Sequence, residues 1–379
     1  MSIFGGFISF RMIKGRSEWS WSLLKLTLLG WLLLCPVLLS ASATETSSEA
    51  PEKGFDAGAF IFEHVEDAYS WHILTVHAHH ISIPLPVILF SSHSGLHVFS
   101  SARLAHGHTF EGFRLATEEQ YEGEIVEDTP QGVSRPVDLS ITKTVMAMFI
   151  SMILLVSLFL WLARRYRRYP DGAPSGMQNA LEVFILFVRD DIARPLIGKH
   201  YARYMPYLLT VFFFIWINNI MGLIPLFPGG ANVTGNIAVT MALALITFGI
   251  TLFSGNKSYW GHIFNTPGVP WWLKIPVPLM PIVEIVGVFT KPIVLMIRLF
   301  ANITAGHIVM LGFFSLIFVF GAISPMLGMV ASPVSLAFAI FMTLLELLVG
   351  IIQAYVFTLL SALYFGMAVE EHEVHESVH

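Results

Sequence analysis

The chain has 379 residues, is 55% hydrophobic and only 12% charged, and has a mean hydropathy of +0.69. A soluble protein of this length would carry about twice that charged fraction, so the composition is that of a polytopic membrane protein. A net charge of −5 gives no basic surface for nucleic acid. The single cysteine, Cys35, excludes an internal disulfide framework and any CxxC or zinc-knuckle site.

The N-terminus reads as a secretory signal. Arg11, Lys14, Arg16 and Lys25 precede the apolar stretch LTLLGWLLLCPVLL, and ASA (Ala41 to Ala43) supplies small residues for cleavage. Residues 1–43 are therefore expected to be a signal peptide, with an uncleaved anchor helix as the alternative. Leu34 before Cys35 stands where a lipoprotein signal would have a small residue. A signal implies export of the adjoining polar segment, and so a bacterial envelope protein of the inner membrane.

Residues 44–138 are polar enough to lie outside the membrane and hold nine of the fifteen histidines. WHILTVHAHHISIPLPVILF mixes alternation with two prolines, which suggests short strands with edges or bends. HVFSS, HTFEGFRLA and YEGEIVED are further strand candidates. In HAHH, His77 and His79 share a strand face, but no carboxylate or cysteine stands at ligand spacing. A small β-rich exported cap is the expectation, rather than a metal centre.

Residues 139–379 are expected to be the membrane domain. VMAMFISMILLVSLFLWLA, ending at Ala163, is the first span, and the RRYRR directly after it marks the cytoplasmic side. MQNALEVFILFVRDDIARPLIGKHYARY reads as an amphipathic helix on the cytoplasmic surface. MPYLLTVFFFIWINNIMGLIPLF returns outward to PGGANVTGN, which lacks Lys and Arg. IAVTMALALITFGITLF goes back in and meets Lys257 and Lys274.

Two long helices are predicted next, from about Pro281 to Phe320 and from Pro333 to Val369, joined outside by GAISPMLGMVAS. Forty helical residues extend about 60 Å, twice the hydrocarbon thickness. They must be broken or strongly tilted, and tilt is favoured because no loop-forming cluster interrupts either one. The C-terminus is then cytoplasmic. The fold class is an all-α polytopic membrane protein. It has about five membrane helices, a surface amphipathic helix, two long tilted antiparallel C-terminal helices and a small β-rich exported N-terminal region.

The long helices carry the informative polar residues. Glu284, Lys291 and Arg298 lie seven apart and form one stripe, while His307 looks the other way. Glu346 and Gln353 share a face of the second helix. In an antiparallel pair Arg298 falls level with Gln353, and His307 with Glu346. Asn302 and Gln353 could simply bridge helices, His307 and Glu346 could be a packing pair, and Lys291 could snorkel to headgroups. Arg298 has the weakest bland explanation. A charge near mid-membrane costs about 2.5–3.5 kcal/mol on insertion scales, and no acid of the second helix is placed to neutralise it. Its partner is expected on another protein. The terminal HESVH matches a zinc-protease pattern but has no following helix or third ligand, so no catalytic zinc is expected.

RLFANITAGH, followed some forty residues later by LELLVGIIQAY, resembles subunit a of the F-type ATP synthase membrane sector. Glu284, Lys291, Pro292 and Arg298 in their E-x6-K-P-x5-R spacing, and NNIMGLIP in the second span, extend the resemblance from about Asp138 to the C-terminus. It does not cover the exported region. In many relatives a glutamate follows the AG dipeptide and a histidine sits on the last helix; here His307 and Glu346 have exchanged places. Some relatives carry an acid where Gly222 stands.

The resemblance implies a non-catalytic stator subunit without cofactor. Two half-channels would carry H⁺ or Na⁺ to and from the carboxyls of a rotating c-ring. The implied partners are that c-ring oligomer, peripheral-stalk b subunits, the F1 sector through the complex, and membrane lipid. Arg298 would attract each ring carboxylate and keep the half-channels apart. His307, Glu346, Asn302 and Gln353, with Asn219 and Asn236, would line the half-channel on the exported side. Glu284 would mark the cytoplasmic exit, with Lys291 a weaker candidate. A self-contained secondary transporter or channel also places charges mid-membrane, but the inverted repeats of such folds are not found in the sequence. A purely structural scaffold is the remaining alternative.

Overall fold

The computed structural model describes residues 57–58, 61, 66–76, 79–116, 121, 123–129, 132–168, 176–224, 229–264 and 279–370. The signal segment, His77 of the HAHH run and HESVH lie outside the described residues.

Among the described residues eight short strands precede the membrane helices: β1 (Ser70–Val76), β2 (His79–Pro84), β3 (Pro86–Ser91), β4 (Gly95–Ser100), β5 (Phe113–Leu115), β6 (Ile125–Thr129), β7 (Gly132–Ser134) and β8 (Val137–Asp138). They form one two-stranded sheet, β1-β2, and two three-stranded sheets, β4-β3-β8 and β5-β6-β7. Pro84 and Pro86 stand at strand ends, where a missing N–H breaks no ladder. Alternation sends Val87 and Leu89 inward to a core with Phe99, Leu104, Phe113 and Ile125. Glu127 on β6 is buried against the β3–β4 turn, where the hydroxyls of Ser91 and Ser94 donate to it. Burial alone would raise its carboxyl, but those two donors, with His93 and His97 nearby, hold it below the ordinary carboxylate value.

The first membrane helix, α1 (Lys143–Arg168), runs through the whole RRYRR motif. Its N-terminus is capped from far away in sequence. Asp67 accepts from the Thr144 N–H at 3.0 Å, and the Ala68 carbonyl accepts from Lys143 N–H at 2.8 Å. Such contacts satisfy donors that a helix start leaves open, and the anion also suits the helix dipole. Trp71, just beyond, is buried against Ala147 of α1 and against Ala231 and Val233 of a later loop.

The segment expected to form one amphipathic helix is divided. It comprises α2 (Met177–Phe187), a π-helical turn Val188–Ala193 and a short helical turn Arg194–Ile197. Pro195 explains the widening, because it supplies no N–H and its ring crowds the carbonyl one turn back. Gly198, at φ +69°, then turns the chain into α3 (Tyr201–Leu223). Leu181, Val188, Ile192 and Ile197 face the main core, while Asp190 pairs with Arg189 and Arg194 on the exposed side.

After α4 (Ile237–Ser254) comes α5 (Lys257–Phe264), a short helix that the sequence pattern does not announce. The chain ends in α6 (Leu279–Ile323) and α7 (Pro325–Val369), each 45 residues and unbroken. The second starts at Pro325 rather than Pro333. GAISPMLGMVAS is therefore no loop: only Ser324, in extended conformation, separates the helices. Proline is favoured at the first helical position, which lets Pro325 begin a helix rather than delay one. Gly328 serves packing, since a Cβ on it would meet the Gly321 Cα at 2.8 Å. The antiparallel register continues through Phe313 stacked on Phe338 at 5.2 Å and Thr343 donating to Met310 Sδ at 3.5 Å.

Among the described residues five helical stretches are long and apolar enough to cross a membrane, with α2 to α3 counted as one. Each 45-residue helix extends about 68 Å, against a hydrocarbon core of about 30 Å.

Candidate functional site

The register of α6 and α7 brings His307 and Glu346 together. His307 Nδ1 pairs with Glu346 Oε1, and the two residues are 9% and 5% exposed. Gly306 makes this possible, because a Cβ there would lie 3.3 Å from the Glu346 carboxyl carbon and Oε1. The second oxygen, Oε2, is buried with no protein partner. A lone acceptor in such a place is costly unless a proton or water meets it. The pair therefore has one bonded and one open position, which suits accepting and passing a proton.

A third helix closes the site. Gly222 of α3 lies so near His307 that a Cβ on it would stand 3.9 Å from Nε2 and Cε1, and 3.5 Å from the Ala231 carbonyl. A larger side chain at this position would reach the imidazole, and glycine leaves that space open. One turn earlier, Asn219 donates to the Gly350 carbonyl at 3.0 Å and accepts from the Thr234 hydroxyl. Thr304 donates to the Gly235 carbonyl at 3.3 Å. The loop 229–236 is tied down on both helices, and Trp71 packs against the same loop. Thr234 and Gly235 were not among the residues singled out from sequence. Nothing in a local pattern marks them, because their partners lie 15 and 69 residues away.

Asn236 has a different use: its Oδ1 accepts from Ala238 N–H at 2.9 Å and caps α4. Gln353 is buried on α7, one heptad beyond Glu346. It forms no hydrogen bond to Arg298 among the described residues, whereas His307 and Glu346 pair directly.

Arg298 is nine residues before His307, about 14 Å along the axis. It is exposed, and among the described residues no carboxylate pairs with it and no acceptor bonds it. Asn302, one turn on, is exposed on the same side. Beside them runs a surface of Val294 and Ile297, also exposed. A guanidinium without a partner on an apolar surface is an arrangement that needs an anion from elsewhere.

On the other side of Arg298, Lys291 reaches to 5.5 Å from the Tyr364 ring and 4.0 Å from Met367 Sδ. It lines a cavity of about 10 Å³ with Thr247, Thr251, Tyr259 and Tyr364 among others. That is at most room for one water. Glu284 is half-buried nearby, close enough for its charge to act on both Tyr259 and Lys291. Two polar groups of residues thus lie along α6 on either side of Arg298.

Comparison with known proteins converges on one family. The family model described as ATP synthase A chain matches residues 145–366, and one described as a domain of unknown function (DUF8433) matches residues 60–139. The chain is 46% identical over 253 residues to ATP synthase subunit a 2 of Prosthecochloris aestuarii, covering 65% of this chain and 74% of that one. It is 44% identical over 245 residues to ATP synthase subunit a of Chloroherpeton thalassium, covering 63% and 69%. With ATP synthase subunit a of Myxococcus xanthus the identity is 47% over 251 residues, covering 64% and 77%. With a match over more than half its length and these relatives, the chain belongs to the ATP synthase A chain family, the non-catalytic, ion-conducting stator subunit of the F-type membrane sector.

Proposed function

We propose that Arg298 faces the carboxyls of a rotating c-ring, and that the polar groups on either side of it end two separate ion pathways. The observation that carries this reading is the exposed, unpartnered Arg298 between the His307–Glu346 pair and the Glu284–Lys291 region. A ring carboxyl that carries its H⁺ or Na⁺ is neutral and can cross lipid, whereas an ionised one is too costly there. Arginine keeps its charge in any accessible environment, so it favours release of the ion from each arriving carboxyl. It also repels cations that would run straight from one pathway to the other. Ions must then travel on the ring, and each charge moved yields about 2.3 kcal/mol per 100 mV.

In this reading His307 and Glu346 form the relay on the entry side, supported by Asn219 and Gln353, with Asn302 beside the ring. Glu284 marks the exit, and Lys291 narrows it. Histidine and carboxylate suit the relay because both change protonation at modest cost. The ring contact is tested by cross-linking in a Cys35→Ser background. Ile297→Cys, at a position 50% exposed, should form a disulfide with a cysteine beside the ring carboxyl, and Ile303→Cys, at a position 3% exposed, should not. An assembled complex in which Ile297→Cys stays unlinked would overturn the assignment.

The peripheral-stalk b subunits and the F1 sector complete the assembly proposed for this chain. The proposed setting is a bacterial inner membrane, with residues 1–43 a signal peptide, residues 44–138 exported and the C-terminus cytoplasmic. Support comes from RRYRR at the end of α1 and from the absence of Lys and Arg in PGGANVTGN. Protease added to intact spheroplasts should cut within residues 44–138 and spare a C-terminal tag. Loss of the tag with the cap intact would invert this orientation.

A further inference from the structure

The β region presents a surface that the ion path does not use. On β3, Ile88 and Phe90 point away from the core that Val87 and Leu89 enter. Phe90 pairs with Leu96 of β4 on one side and with Val137 of β8 on the other. Ile88 pairs with Val98, and its carbonyl accepts from Leu139 N–H at 2.9 Å. Directly paired residues share a face of a sheet. The outcome is a grid of two rows, Leu96–Phe90–Val137 and Val98–Ile88–Leu139.

Ile88 is half-buried at the centre, and the other five are 51 to 64% exposed. None of the six can ionise. The charged groups of these strands are used elsewhere. His97 points to the opposite face, where it pairs with Glu111 at 2.7 Å and packs on Phe113 at 5.0 Å. Asp138 receives the Tyr69 hydroxyl. An exposed apolar patch of this kind marks an interaction site rather than ordinary surface.

The place of the grid in the chain selects its occupant. Leu139 is four residues before Lys143, where α1 begins. Four residues span at most about 14 Å, and the polar layer on each side of a bilayer is about 5–8 Å thick. Leu139, at the edge of the grid, is therefore tethered within about 14 Å of the start of α1, on the side from which that helix enters the membrane. α1 itself is apolar and exposed at Phe149, Met152, Ile153 and Val156. A second protein copy is less suited. Six side chains are few beside the roughly 20–30 residues a side of a stable protein interface.

We propose that this face is a membrane-docking surface, with its six side chains seated in the lipid interface beside α1. Docking there would hold the β region close to the segment 66–71, which caps α1 through Asp67 and packs Trp71 on the loop 229–236.

The test uses the full chain in its assembled complex, reconstituted in vesicles of phosphatidylcholine. In a Cys35→Ser background, Leu96→Cys and, separately, Val98→Cys carry an environment-sensitive fluorophore. Glu111→Cys, on the opposite side of the sheet, is the control; the exposed ion pair it loses is worth little. Vesicles containing lipid with a nitroxide near the glycerol level should quench Leu96 and Val98 about twofold or more, as expected for shallow interfacial insertion. Glu111 should be unaffected, and aqueous iodide should quench Glu111 but neither grid position. Iodide quenching at Leu96 and Val98 would put the face in water and overturn the proposal. So would shielding from both quenchers, which would mean a protein partner, and so would equal lipid quenching at all three positions.

Discussion

Arg298→Ala is expected to abolish ATP synthesis while the complex assembles with its full set of subunits. Assembly should survive because the Arg298 side chain makes no hydrogen bond or ion pair among the described residues, so its loss leaves no internal group unmatched. Function should not survive. Without the guanidinium nothing attracts a ring carboxylate at this depth, and nothing repels a cation from passing along the helix face. Synthesis should fall to background and passive ion leak should rise. Arg298→Lys is expected to fail nearly as far, since a desolvated lysine can lose its proton and lacks the planar fork of donors. ATP synthesis in membrane vesicles, normalised to subunit content, reads both variants.

The second large effect concerns His307 and Glu346. Each is buried against the other, and removing one member of a buried pair costs roughly 3–5 kcal/mol, less where water enters. At about 1.4 kcal/mol per factor of ten, that cost carried into the barrier would slow pumping by about a hundredfold to a few thousandfold, and by less where water enters. His307→Glu alone would put two carboxylates in one site where they cannot both ionise. Glu346→His alone would place two imidazoles there, in a space so close to Gly306 that a Cβ on that glycine would lie 3.3 Å from the Glu346 carboxyl. The exchange His307→Glu with Glu346→His restores one group of each kind. The double variant is therefore expected to pump better than either single variant, measured as ATP-driven acidification of inverted vesicles. Strictly additive defects would mean that the two residues are not coupled.

The parts of this molecule that depend on periodicity were legible in the sequence. The heptad spacing of Glu346 and Gln353, set against His307 in an antiparallel pair, is enough to bring His307 level with Glu346, and the two are in contact. The two long helices were also readable as continuous, because no loop cluster breaks them. What failed depended on the second role of familiar residues. Glycine and proline in GAISPMLGMVAS looked like turn formers. Instead Gly321 and Gly328 allow close approach, and Pro325 starts a helix. Asn236 also caps α4, a use that no spacing in the sequence announces. The link from Thr234 through Asn219 to Gly350 and the tie from Thr304 to Gly235 arise from tertiary packing. Neither has a local signature. Arg298 and Gln353, expected to come level, share no hydrogen bond among the described residues, since equal depth does not fix which way a side chain turns.

The most direct measurement compares ion movement with ATP synthesis in the same sealed vesicles, for the unaltered chain and for Arg298→Ala, with an imposed ion gradient. In the unaltered complex, dissipation of the gradient should require turnover and should yield ATP. In Arg298→Ala the gradient should decay without ATP being made, although c-ring and stalk subunits are present in normal amounts. Near-normal ATP synthesis by Arg298→Ala vesicles would contradict the role assigned to this arginine and, with it, the separation of the two ion pathways.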